Sequence, residues 1–212
     1  MAENTSRFGC LMLFGFLFLS GALGVGIHLF QEYKGKNVSH SQDESRFDPI
    51  LAKDEVTALA GPGVQFHSLR ATHVRPDGTQ DFTNSGYEPM TLYQFLAPLN
   101  QDLPLGASPN RVSVVFISVR PKGWESHWRA EGEYQYTYNF GLKRWIAPSS
   151  VSTDGSAFPK CSLEEIWKGA SAAGAPEKAV ASIDFQDNLY RFSIVGTQYN
   201  YVFDQNCKLA KN

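Results

Sequence analysis

His127 sits between Trp124 and Trp128 and two residues from Glu125, which makes it the best lone general-base candidate in the chain. An imidazole beside a carboxylate can move a proton near neutral pH, and the indoles can hold a flat group against it. The same residues also read as contact residues, because a histidine among tryptophans usually packs or touches a ligand. His67, with Asp81 as a carboxylate partner, is a second candidate for acid–base work of a hydrolase kind. His67 and His73 share a strand face only if no bulge intervenes, and neither brings the further ligands that zinc needs. There is no CxxC, HExxH or GxSxG, no GxxxxGK[ST], and no GxGxxG opening a helix after a strand. Asp77-Gly78-Thr79 and Asp154-Gly155-Ser156 lack the spaced carboxylates of a calcium loop and read as turns. The motifs imply no metal and no cofactor.

Binding chemistry is better represented. Trp124, Trp128, Tyr134, Tyr136, Tyr138 and Trp145 lie close together, interleaved with Lys122, Arg129, Lys143 and Arg144. Tyrosine and tryptophan offer an apolar body with a polar handle, and the cations can lie over the rings. Tyr134, Tyr136 and Tyr138 alternate with Gln135 and Thr137, so they also fit one face of a strand packed on a core. Trp124 and Trp128 fall in a loop-like stretch, which favours a surface role. Lys122, Trp124, His127, Trp128 and Trp145 are the candidate ligand-binding residues, with a protein or a glycan as the ligand.

Two cysteines frame the last part of the chain. Cys161 precedes a predicted helix and Cys207 follows the last predicted strand, so a Cys161–Cys207 disulfide would close one unit from end to end. Such a bond persists in an oxidising compartment. Cys10 lies in an apolar run from Phe8 to Phe30 that carries no fixed charge, bounded by Arg7 and by Glu32, Lys34 and Lys36. A run of that length suits a transmembrane helix and exceeds the apolar core of most signal peptides. Ser20, Gly21, Ala22 and Gly24 leave a cleaved signal as the alternative. Lysine and arginine counts on the two sides nearly balance, so orientation rests on the cysteines. They support an N-in topology, with the folded part in a periplasm or other extracytoplasmic space.

These features must be positioned by a fold. The chain has 212 residues, a formal net charge of −2 and 42 % hydrophobic residues. That suffices for one domain or two small ones and gives no electrostatic footprint for nucleic acid. After an anchor over residues 1–36, residues 37–48 read as a polar tether, with an Asn37-Val38-Ser39 glycosylation sequon and an exposed His40. Asp48 and Pro49 start a helix carrying Leu51, Ala58 and Leu59, and Gly61-Pro62-Gly63 stops it. Strands follow at 64–73, near 81–84 and at 90–96, with an Arg75-Pro76-Asp77-Gly78-Thr79 turn between the first two. A loop spans Asn100 to Asn110, and Val112 to Val119 is a β-branched run suited to a central strand.

Residues 147–160 read as a linker. Ser162 and Glu165 then form a capping box for a helix lined by Leu163, Ile166, Trp167 and Ala170. Strands at 180–185, around Tyr190 to Ile194 and from Tyr199 to Phe203 complete the chain. The predicted class is α+β: a transmembrane helix, then an antiparallel-sheet domain. Two helix-plus-three-strand units (49–100 and 161–208) would flank a central aromatic β segment (101–146). The element order loosely resembles helix-then-sheet modules of bacterial envelope proteins, including some protein inhibitors. The functional expectation is a non-catalytic, membrane-anchored binding module for a partner protein or envelope polymer. An envelope hydrolase and an accessory subunit of a membrane complex are the alternatives.

Overall fold

Apolar alternation and turn residues divide the chain into strands and two helices in the computed structural model, which describes residues 36–83, 89–97, 112–129, 132–149, 151 and 154–210. Side chains are described for these residues except 36, 37, 124–129, 132–138 and 148. The strands are β1 (Lys36–Ser39), β2 (Gln65–Val74), β3 (Thr91–Leu96), β4 (Val112–Arg120), β5 (Gly123–Arg129), β6 (Gly132–Tyr138), β7 (Gly141–Ser149), β8 (Ala181–Gln186), β9 (Leu189–Ser193) and β10 (Asn200–Phe203). The helices are α1 (Lys53–Ala60) and α2 (Leu163–Ala172). The predicted membrane segment, residues 8–30, and the loop from Asn100 to Asn110 lie outside the described residues. No helix among the described residues is long and apolar enough to cross a membrane.

The fold is α+β. Eight strands form one antiparallel sheet in the order β1-β7-β4-β3-β2-β8-β9-β10, and β5 and β6 pair separately. Register explains the core. Ile117, Tyr93, Leu69, Phe185, Tyr190 and Phe203 are successive cross-strand partners from β4 to β10, and all are buried. One residue along each strand, Ser118, Leu92, Arg70, Asp184, Arg191 and Val202 form the next row, and none is buried. A one-residue step moves a side chain to the other face, so the sheet has an apolar face and an open face. On the apolar face α1 lies against β4 and β7, and α2 against β9.

The C-terminal elements follow the expected chemistry. Ser162 and Glu165 form the capping box, and Leu163, Ile166, Trp167 and Ala170 are the buried face of α2. Trp167 Nε1 donates to the Val74 carbonyl at 3.1 Å, and its ring meets Phe192 edge-on. Asp187 and Asn188, both with positive φ, make the two-residue turn between β8 and β9. Cys161 and Cys207 are disulfide-bonded with Cα atoms 5.8 Å apart. The Cys161 N–H also donates to the Tyr190 hydroxyl at 2.9 Å, which ties the start of α2 to β9.

The first half departs from expectation in several places. Residues 37–48 are not an unpaired tether. Lys36–Ser39 pairs with β7, Glu44–Arg46 is a 3₁₀ turn, and Phe47 is fully buried and bridged to Gln80. A short polar edge strand is held by backbone bonds, which leave no apolar period to read. Glycine at 141 lets it approach, since a Cβ there would collide with the Val38 carbonyl. Asp48 Oδ1 does accept from the Ile50 and Leu51 amides, but residues 49–52 form turns and α1 starts at Lys53. Its inward face is Ala52, Val56 and Ala60, one residue per turn, while Leu51 is 76 % exposed.

Residues 81–83 form no strand, and Asn84 lies outside the described residues. Asp81 instead accepts from the Thr83 amide and hydroxyl in a local turn. The 147–160 linker gives up its start to β7, and further along Ser156 N–H bonds the Phe66 carbonyl and Phe158 packs on Phe66. The sheet is continuous across the expected pair of units, because β2 pairs directly with β8.

Candidate binding site on the β5–β6 hairpin

Pro121 and Lys122 end β4, and Gly123 begins a hairpin that returns at Tyr138 before β7. The stretch around Trp124 and Trp128 is therefore a strand and not a loop. Glycine at 123 and 132 and polar residues throughout weaken its apolar signal, and pairing with the tyrosine strand supplies the order. The register pairs Trp124 with Thr137, Glu125 with Tyr136, Ser126 with Gln135, His127 with Tyr134 and Trp128 with Glu133. Among the described residues β5 and β6 pair with each other and with no strand of the large sheet. The side chains of Trp124, Glu125, His127 and Trp128 lie outside the described residues.

The foot of this hairpin is well defined. The Lys122 N–H donates to Glu44 Oε1 at 2.8 Å, and Lys122 itself is exposed. Phe140 is buried in a cluster with Phe47, Phe82 and His40, the rings meeting at centroid distances of 5.7–5.9 Å. The His40 N–H reaches the Phe140 carbonyl at 3.4 Å. Residues 40–47 thus grip the hairpin where it leaves the sheet.

His40 was expected to be exposed, and its side chain is fully buried. The Gln42 amide donates to His40 Nδ1 at 2.9 Å, which leaves the proton of the neutral ring on Nε2. Nε2 faces Glu55 Oε2 at 3.4 Å without forming a well-aligned hydrogen bond. Burial lowers the His40 pKa, and the Glu55 charge offsets part of that shift. The Ser41 hydroxyl donates to Glu55 as well. This Ser–Glu–His set does not form an activated nucleophile, since the hydroxyl bonds the carboxylate and not the imidazole. Sequence reasoning missed it because nothing in the polar run 37–48 marks His40 for burial.

The remaining predicted residues lie elsewhere. Trp145 is on β7, opposite Phe116, and the two rings stack at 5.3 Å with an interplanar angle of 10°. Arg144, one residue earlier, points to the helical face, where Nη2 reaches the Ala60 carbonyl at 3.4 Å. Trp145 therefore belongs to the open face of the sheet. His67 is buried beside a bulge in β2, with Nδ1 3.3 Å from the Asp154 carbonyl. Asp81 follows the turn beyond Val74, at the opposite end of β2 from His67, where Thr83 and Arg75 engage it. The structure does not bring His67 and Asp81 together. Two bulges in β2, at Phe66/Ser68 and Ala71/Val74, also break the simple alternation between His67 and His73. No cluster of metal-ligating side chains occurs among the described residues. An open cleft of about 790 Å³ lies at the far end of the sheet, beside Asp184, Arg191, Tyr201 and Leu209, and contains none of the predicted site residues.

The chain matches no known family model, no curated protein and no solved structure.

Proposed function

We propose that the protein is a membrane-anchored, extracytoplasmic binding module whose contact surface is the β5–β6 hairpin, and that it performs no chemistry on what it binds. The observation that carries this reading is the separation of the hairpin from the large sheet. Strands dense in tryptophan and tyrosine that pair with each other and not with the large sheet would offer their aromatic residues for recognition. The Cys161–Cys207 disulfide supports an oxidising compartment. Residues 8–30 would hold the domain at the bilayer, with Gln31 to Gly35 as the short connection to β1. Tethering raises the local concentration of the hairpin near any ligand fixed to the same envelope.

A photo-crosslinking residue placed at Trp124 or Trp128 in the full chain, in its native cells, tests this. Crosslinks to a specific component are expected there and not from Leu51, an exposed position on the helical side. Equal labelling from Leu51, or none from the hairpin, would refute it. A thiol probe applied to the same unreduced cells should leave Cys161 and Cys207 unlabelled until reductant is added. Free reaction of both would overturn the compartment.

A further inference from the structure

We infer that His40 is a proton switch on residues 40–48: uptake of a proton breaks its bond with the Gln42 amide and loosens the segment that leads into α1. The switch is independent of what the hairpin binds. In the neutral ring Nδ1 accepts from the Gln42 N–H at 2.9 Å, and the ring proton sits on Nε2. The charged ring carries a proton on both nitrogens, so Nδ1–H and the Gln42 N–H meet as two donors with no acceptor between them. The ring is fully buried against Phe47, edge-on at 5.1 Å, and Phe140, at 5.9 Å. A buried donor that loses its partner is costly, so the segment has to move. The Gln42 bond is the first of a chain. Gln42 Oε1 accepts from the Asp48 amide at 2.7 Å, and its Nε2 donates to the Asp48 carbonyl at 3.1 Å. Asp48 Oδ1 accepts in turn from the Ile50 and Leu51 amides in the turns before α1. Displacing Gln42 therefore opens the clasp that closes residues 42–48 into a loop.

Glu55 on α1 sets where the switch acts. Its Oε2 lies 3.4 Å from His40 Nε2, and its carboxylate also receives the Ser41 hydroxyl. A charged His40 gains this counter-charge and competes with Ser41 for it. Burial disfavours the charged ring more than the Glu55 charge favours it, so the ring takes up its proton below its ordinary value of 6.5. The other charged groups of the neighbouring elements are directed elsewhere. Within the segment, Asp43 accepts from the Ser45 amide, Glu44 from the Lys122 amide, and Arg46 reaches Asp77. Arg75 donates to the Ser45 carbonyl and faces Asp81. On α1, Lys53 lies over the Phe158 ring and Asp54 is exposed, and from β7 Arg144 reaches the Ala60 carbonyl.

The test is amide hydrogen exchange of the full chain in detergent micelles at about pH 7.5 and about pH 5, expressed as protection factors, with the His40 ring followed by NMR. On acidification the Gln42 and Asp48 amides should lose at least about tenfold more protection than the amides of α2, with the same midpoint as the ring. His40→Gln takes up no proton and should remove this difference. Glu55→Gln lacks the counter-charge and should keep the difference while moving the midpoint to lower pH. Protection of residues 42–48 that tracks α2 at both pH values in the parent chain would overturn the inference, and that result needs no variant to fold. An undiminished acid response in folded His40→Gln would overturn it too, as would a midpoint that rises in Glu55→Gln.

Discussion

Trp167 and the pair Trp124/Trp128 occupy regions built on opposite principles. Trp167 lies on the inward face of α2, fully buried, hydrogen-bonded to Val74 and edge-on to Phe192. Around it the capping box, the β8–β9 turn and the Cys161–Cys207 bond reinforce one another. Trp124 and Trp128 lie on a hairpin whose strands answer only to each other. An isolated two-stranded ribbon is marginal in water, so this one depends on its foot, where Glu44, His40, Phe47 and Phe140 hold it to the sheet. Aromatic density alone does not mark a core, and the two regions differ in what their strands and helices pair with.

That contrast can be broken most forcefully at Trp167. Trp167→Ala should destabilise the protein by about 3–5 kcal/mol through lost packing and the orphaned Val74 carbonyl, measured by denaturant unfolding. Binding per folded molecule should be unchanged. Replacing Cys161 and Cys207 by Ser comes next. The bond closes a loop with a sequence separation of 46, worth about 4 kcal/mol in the chain-entropy model. Melting under oxidising conditions should fall by on the order of 10 °C, and an unchanged melting temperature would remove the disulfide from the account of stability.

His40 sharpens the comparison at the junction of the two regions. Its pKa in the fold is lowered by burial, so the folded state keeps the ring neutral where the unfolded chain, near the ordinary value of 6.5, takes up a proton. The stabilisation is therefore complete above about pH 6.5 and is lost as pH falls through the folded value. Acidification should weaken the protein, and His40→Gln should flatten that dependence in melting curves taken from pH 8 to pH 5. The smallest stability effect belongs to the hairpin. Trp124→Ala with Trp128→Ala should change the unfolding free energy by no more than about 0.5 kcal/mol each. Losses on the scale of Trp167 would make the pair part of the core.

The sequence was most readable where several local signals agreed. Ser162, Glu165, the apolar face of α2, Asp187-Asn188 and the alternating strands after them all carry their own instructions, and the fold obeys them. Tyr134, Tyr136 and Tyr138 alternate as a strand should, and the stretch around Trp124 is recognisable as a strand only through that partner. Legibility failed where the partner lies far away. β1 is polar and four residues long, and only β7 makes it a strand. His40 is buried by Phe47 and Phe140 and faced by Glu55, none of which a local window connects to it. Continuity of the sheet through β2 and β8 was hidden likewise, because the pairing joins residues 68–74 to residues 181–186.

The central claim is that the hairpin is an appendage, structured at its foot and otherwise free of the core. Amide hydrogen exchange of the full chain in micelles tests this most directly. The account predicts that amides of β5 and β6 exchange much faster than those of β4 and β7, through local opening well below the global unfolding free energy. Protection of β5 and β6 equal to that of β4 and β7 would contradict it and return Trp124 and Trp128 to the core.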